Sequence, residues 1–229
     1  MLGGGGARGA AHIGVLRELE RMRIPIDAIA GTSMGAIVGG LYASGMSVAE
    51  LEQLVAEMDW AEAMSDEPER GDLRFRRKQD ARDYPIDLDI GLERGRPKLP
   101  LGVVQGQKLD LILRNLTLPV SHIEDFDDLP IPFRAIASDI ETGEMHVMHR
   151  GDLALAIRAS MSVPAALAPV RVDGHLLVDG GLVGNLPVDI VREMGVDVVI
   201  AVDVEFPLYS PDELQSAITI SEQMLTILI

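Results

Sequence analysis

The chain of 229 residues contains no cysteine, so neither a disulfide framework nor a thiolate-held metal cluster can be built from it. Aromatic residues make up only 3% of it, which leaves Leu, Ile, Val, Ala and Met to fill a core. Basic residues are outnumbered: 20 Lys and Arg stand against 36 Asp and Glu, a formal net charge of −16. That balance argues against nucleic-acid partners and against simple electrostatic attraction to anionic membranes. No apolar run is long enough to span a bilayer, and no signal peptide is visible. The five histidines show no paired ligand spacing with acidic partners, so neither a metal nor an organic cofactor is expected.

What is present suffices for a full core. With 47% hydrophobic residues, residues 1–229 read as a single domain. Strand-like and helical segments alternate, which predicts an α/β fold, a three-layer α/β/α sandwich whose central sheet is mostly parallel and covered on both faces. Helical patterns run over 48–58, opened by the capping box Ser47 and Glu50, over 109–116, and over 188–194, closed by Gly195. The run Val198 to Val202 reads as a buried strand. Ser210-Pro211-Asp212-Glu213 opens a last helical pattern with an apolar stripe at Leu214, Ile218, Met224, Leu225 and Leu228. The stripe packs on the domain's own core or forms a homodimer or lipid contact. Residues 66–100, which carry Arg74, Arg76, Arg77 and Lys78, read as a solvated loop, a lipid-headgroup patch or a mobile flap. Both ends read as cut, so a targeting segment and further modules are expected outside the chain.

Three motifs carry chemistry. Gly31-Thr32-Ser33-Met34-Gly35 lies between a strand-like run, Ile26 to Ala30, and a small-residue helix, Ala36 to Ser44, closed by Gly45. A sharp strand-to-helix turn at that place would hold the Ser33 hydroxyl above the sheet edge as a nucleophile. Upstream, Met1-Leu2 leads into Gly3-Gly4-Gly5-Gly6-Ala7-Arg8-Gly9 and then a helical pattern from Ala10 to Met22. A glycine loop at a helix start gathers backbone N–H groups that suit a phosphate or a developing oxyanion. Gly4, Gly6 and Gly9 also spell a dinucleotide fingerprint, with Asp27 near the place of a ribose-binding carboxylate, so a nucleotide-binding module stays open. The third motif, Asp179-Gly180-Gly181, ends a hairpin whose turn is Asp173-Gly174. Its carboxylate can serve as a base, or the tripeptide can be plain turn chemistry.

Taken in order, these three motifs, with Ser138 to Glu144 and Ala159-Ser160-Met161-Ser162-Val163-Pro164, resemble the patatin-like phospholipases across most of the chain. The resemblance is nearest to the bacterial branch whose patatin domain is a secreted passenger of type V secretion proteins, which implies a secreted or cell-surface location. The chain departs from the family after Pro164, where Ala165-Ala166-Leu167 stand in place of a Gly-x-Phe segment, a difference that bears on the acyl pocket. The resemblance implies a Ser/Asp dyad of Ser33 and Asp179, an oxyanion hole from Gly4, Gly5, Gly6 and Arg8, and motif glycines Gly9, Gly31, Gly35, Gly180 and Gly181. The substrate it implies is a phospholipid or lysophospholipid, met in transient contact with a membrane surface. A catalytically silent lipid-binding homologue is the alternative.

A Ser-acid-His order is unavailable, because His12, His122, His146, His149 and His175 all precede Asp179. On one extended strand His175 and Asp179 would lie about 13 Å apart. His12 follows the glycine loop and reads as a helix-surface residue or a participant near the site. Arg8 reads as a loop-ordering residue, a salt-bridge partner or a phosphate contact. An exposed carboxylate is a weak base towards a hydroxyl, so Asp179 is expected to be partly desolvated.

Overall fold

The computed structural model describes residues 1–66, 91–93, 96–98, 104–164, 166–204, 207–215, 220 and 223. Most of the 66–100 stretch and all of the apolar stripe beyond Leu214 lie outside the described residues. The helices are α1 (Ala11–Arg21), α2 (Met34–Ala43), α3 (Val48–Glu57), α4 (Trp60–Ala63), α5 (Gln107–Thr117), α6 (Leu153–Ser160) and α7 (Val188–Glu193). The strands are β1 (Ile29–Thr32), the short pair β2 (Gly91–Glu93) and β3 (Arg96–Lys98), then β4 (Phe133–Asp139), β5 (Met145–Met148), β6 (Val170–Val172) and β7 (His175–Asp179). Local chemistry sets several of these boundaries. Ser47 and Glu50 form a reciprocal capping box at the start of α3. Asp173 and Gly174, both at positive φ, make the tight turn of the β6–β7 hairpin.

The α/β fold stands, but the sheet is mixed rather than mostly parallel. β1 runs parallel to β4, with Ile29 opposite Phe133 and Thr32 opposite Ile136. β5 and β7 both run antiparallel to β4, and β6 antiparallel to β7. Two of these antiparallel pairings, β4–β5 and β6–β7, are hairpins, since a chain that turns back through a few residues must pair antiparallel; the third, β4–β7, joins strands separated by β5, α6 and β6. Ala137 has His146 of β5 on one side and Asp179 of β7 on the other. Ala135 likewise has Met148 on one side and Gly31 of β1 on the other. β1 and β7 therefore lie along the same side of β4, approach it from opposite ends, and bring their C-terminal ends together beside Ile136 and Ala137.

One sheet face carries the larger core, with Phe133, Ala137 and Leu177 packed among residues of the helices from α1 to α6. The other face is covered more thinly, by Val191 and neighbours of α7 over Ala30 and Ile136. Leu2 extends the sheet beyond β1, bridged in parallel to Gly31 and to Val202. The Val198 to Val202 run is not a buried strand: Val198 is 77% exposed, and only Val202 forms a bridge to Leu2. Val198 and Ile200 meet solvent because the run lies at the sheet margin, with a neighbour on one side among the described residues, while Val199 and Val202 pack partly on the core. Among the described residues, no helix is long and apolar enough to cross a membrane.

Candidate active site

Ser33 follows β1 directly and precedes α2 at φ 55°, ψ −121°, a backbone conformation that costs an L residue energy. Such a turn needs bare backbone on its flanks. A Cβ on Gly31 would lie 2.3 Å from the Gly35 carbonyl oxygen, and one on Gly35 would lie 2.2 Å from the Leu2 carbonyl oxygen. The Ser33 N–H donates to Ser160 Oγ at 2.9 Å, and Ser160 Oγ donates to the Ile136 carbonyl at 2.5 Å. Ser160 thus fastens the turn to the middle of β4.

Asp179 ends β7 and is 2% exposed. Oδ1 accepts the Gly181 N–H at 2.8 Å, and the Asp179 N–H donates to the Ser162 carbonyl at 2.9 Å. The Ser33 hydroxyl faces the carboxylate closely enough to favour its charged form, while Oδ2 has no aligned hydrogen-bond partner. Burial outweighs these helpers and pushes the Asp179 carboxyl up to about 6. Gly180 sits where the two strand ends meet: a Cβ there would lie 2.3 Å from the Ile136 carbonyl and 3.1 Å from Thr32 Cγ2.

The glycine loop packs against Ser33, because a Cβ on Gly4 would come within 3.0 Å of Ser33 Cβ. Its N–H groups are not equivalent. The Gly4 N–H donates to Asn185 Oδ1 at 2.7 Å and is spent there, contrary to the expectation that it faces an oxyanion. Asn185 Nδ2 returns a bond to the Gly4 carbonyl at 3.3 Å. The N–H groups of Gly5 and Gly6 have no acceptor among the described residues and remain available. Arg8 orders the loop: its N–H donates to the Gly5 carbonyl and its Nη1 to the Val204 carbonyl, both at 3.3 Å. Gly9 lies under Met34, with room for no side chain.

His12 is not on the helix surface. It is fully buried, and its Nε2 lies 2.7 Å from the Gly3 carbonyl, which can only accept, so the ring carries its proton on Nε2. Burial lowers its pKa, and it holds the loop as a neutral donor. His175 shares β7 with Asp179 and pairs instead with Asp139 Oδ2 at 2.8 Å. Asp27 lies before the first residue of β1, on the wall of an apolar cavity of about 320 Å³ shared with Met1, Leu16 and Val199. Ser33 and the glycine loop are at the opposite end of β1, so the fingerprint lacks its ribose carboxylate. Asn185 and the role of Ser160 escaped sequence reasoning. The available signals were a lone amide in an otherwise apolar stretch, Leu182 to Val188, and a serine inside an alanine-rich helix end.

The arrangement offers a strained serine hydroxyl, a desolvated carboxylate beside it, and two free amide donors on the adjoining loop. The family model described as patatin-like phospholipase matches residues 1–192. Patatin-like phospholipase domain-containing protein 6 of Mus musculus is 36% identical over 208 residues, covering 89% of this chain and 13% of that protein. An uncharacterised NTE family protein of Mycobacterium tuberculosis is 36% identical over 201 residues, covering 88% of this chain and 47% of that protein. The chain thus spans less than half the length of either relative. The crystal structure of VipD from Legionella pneumophila aligns with a TM-score of 0.50 at 16% identity, over 80% of this chain and 46% of that one, a likeness of fold alone. Neither sequence relative is named for a secretion module, and the expected secreted location draws no support from them.

Proposed function

The chain belongs to the patatin-like phospholipase family, and on that premise we propose that it is a lipid acyl hydrolase that cleaves carboxylic esters of phospholipids or lysophospholipids at a membrane surface. The observation that carries the reading is the pairing of Ser33 with a dry Asp179 at the meeting of two strand ends. In the proposed reaction Asp179 takes the Ser33 proton as Oγ attacks the ester carbonyl. The oxygen charge that develops is met by the N–H groups of Gly5 and Gly6. Asp179 then returns the proton to the departing alcohol, leaving an acyl-Ser33 ester. A water molecule gives a proton to Asp179 as it attacks that ester, and Asp179 passes the proton to Ser33 Oγ as the acyl–oxygen bond breaks, which releases the fatty acid and restores both residues.

A carboxyl near 6 supports this role better than an ordinary one, since its basicity towards a hydroxyl is higher and it is still ionised at neutral pH. The test is fatty-acid release from phosphatidylcholine and lysophosphatidylcholine vesicles by the wild type, Ser33→Ala and Asp179→Asn. Turnover in the wild type that both variants lose supports the dyad. Lipid binding without any turnover would leave a silent homologue.

A further inference from the structure

Arg158 heads the large buried side chains, is 2% exposed, and has no part in the reaction just described. From α6 its Nη1 donates to Ser162 Oγ at 2.6 Å, and Nη2 donates to the carbonyls of Gln105 at 3.0 Å and Ala168 at 3.4 Å. Nε stands 3.2 Å from Asp110 Oδ1. Ser162 Oγ donates back to the Arg158 carbonyl at 2.9 Å, and the Ser162 carbonyl accepts the Asp179 N–H, also at 2.9 Å. The Asp66 carboxylate accepts the N–H of Gln105, of Gly106 at 2.9 Å and of Gln107 at 3.3 Å, capping α5. Gly106 is at φ 81°, and a Cβ there would lie 2.6 Å from Arg158 Nη2, so the cation packs directly on the capped turn.

A buried cation is a costly way to fill space, and an apolar side chain of similar volume often serves stability as well or better. We propose that Arg158 is a positioning residue for Asp179: it anchors Ser162, whose carbonyl holds the Asp179 main chain, and takes its own position from the Asp66-capped start of α5. The proposal rests on the Ser33–Asp179 reading above. Its action runs through the main chain, since the Asp179 carboxyl itself answers to burial, the Ser33 hydroxyl and the Gly181 N–H. A loosened Ser162 lets the end of β7 shift and admits water to Asp179. Activity then falls, and the acid limb of the pH–rate profile moves from about 6 towards the ordinary carboxyl value of 3.8. Loss of global stability alone would leave that limb in place.

The experiment measures hydrolysis of a soluble p-nitrophenyl ester against pH, with fluorophosphonate labelling and circular dichroism, for the wild type, Arg158→Lys, Ser162→Ala and Asp66→Asn. Lysine keeps the charge but cannot reach Ser162, Gln105 and Ala168 together. The expected result for Arg158→Lys is a kcat about 10- to 100-fold lower, little change in KM and a downward move of the acid limb. Ser162→Ala and Asp66→Asn should move the same way by smaller factors. If Arg158→Lys does not fold, Ser162→Ala decides. Folded variants with wild-type kcat and an unmoved acid limb overturn the positioning role while the dyad stands. Absence of Ser33-dependent turnover in the wild type overturns the dyad, and this role with it.

Discussion

Replacing Asp179 by asparagine should cut turnover severely and yet make the protein more stable at alkaline pH. The folded carboxyl titrates near 6 against an ordinary 3.8, because burial disfavours its charge more than Ser33 and the Gly181 N–H favour it. Between those values the folded state keeps a proton that the unfolded state has lost. Stability from this group is therefore present in full below about pH 4 and is lost as pH rises towards about 6. Above both values the charged carboxylate costs the fold about 3 kcal/mol. Asparagine cannot ionise, fills the same volume and keeps an oxygen for the Gly181 N–H, so it removes that cost. For a domain of this size the gain corresponds to a rise in Tm of about 6–12 °C. Loss of the general base should lower kcat by about 100- to 10,000-fold. Thermal unfolding of the wild type and Asp179→Asn at about pH 8, 6 and 4 checks the reasoning. The stability gain should be largest at the highest pH and vanish at the lowest. A Tm at about pH 8 equal to or below that of the wild type, or a gain independent of pH, would refute the claim that Asp179 is held charged in a dry site.

Wild-type kcat/KM on a soluble ester should rise with pH through a midpoint near 6, as Asp179 ionises; a flat profile from about pH 4 to 8 counts against it as base. Asn185→Ala frees the Gly4 N–H and carbonyl that it holds and lets the loop drift, so kcat should fall by up to about 100-fold with a smaller effect on KM, measured by steady-state kinetics. Ser160→Ala strands the buried Ser33 N–H and Ile136 carbonyl, and denaturant unfolding should show a loss of about 2–4 kcal/mol. Gly35→Ala forces a Cβ to 2.2 Å from the Leu2 carbonyl, so it should cost more than about 3 kcal/mol or prevent soluble expression altogether.

The parts of the fold legible in the sequence were those set by local chemistry. The Ser47–Glu50 box, the Asp173-Gly174 turn and the helix ends at Gly45 and Gly195 announce themselves because a cap or a left-handed residue is a property of a few neighbours. The turn at Ser33 belongs partly to the same class: Gly31 is demanded by the backbone of Gly35 and Ala36 a few residues on, whereas Gly35 is demanded by the distant Leu2 carbonyl. Pairing direction is different. That β1 and β7 meet head to head along one side of β4 depends on pairings between residues far apart in the chain, Thr32 with Ile136 and Ala137 with Asp179, and the runs themselves carry no mark of it. The same distance hides Asn185, which reaches Gly4 across 181 positions, and Ser160, which reaches Ser33 across 127. His12 looked like a surface residue by type, and the Gly3 carbonyl made it a buried one. The Val198 to Val202 run misled because apolar composition signals a strand without saying whether anything covers it.

Mass spectrometry of the protein after exposure to a fluorophosphonate tests the pairing of Ser33 with Asp179 most directly. A single adduct on the peptide carrying Ser33, absent from Ser33→Ala and much slowed in Asp179→Asn, is the predicted result. An unlabelled wild type, or an adduct on any other residue, would contradict it.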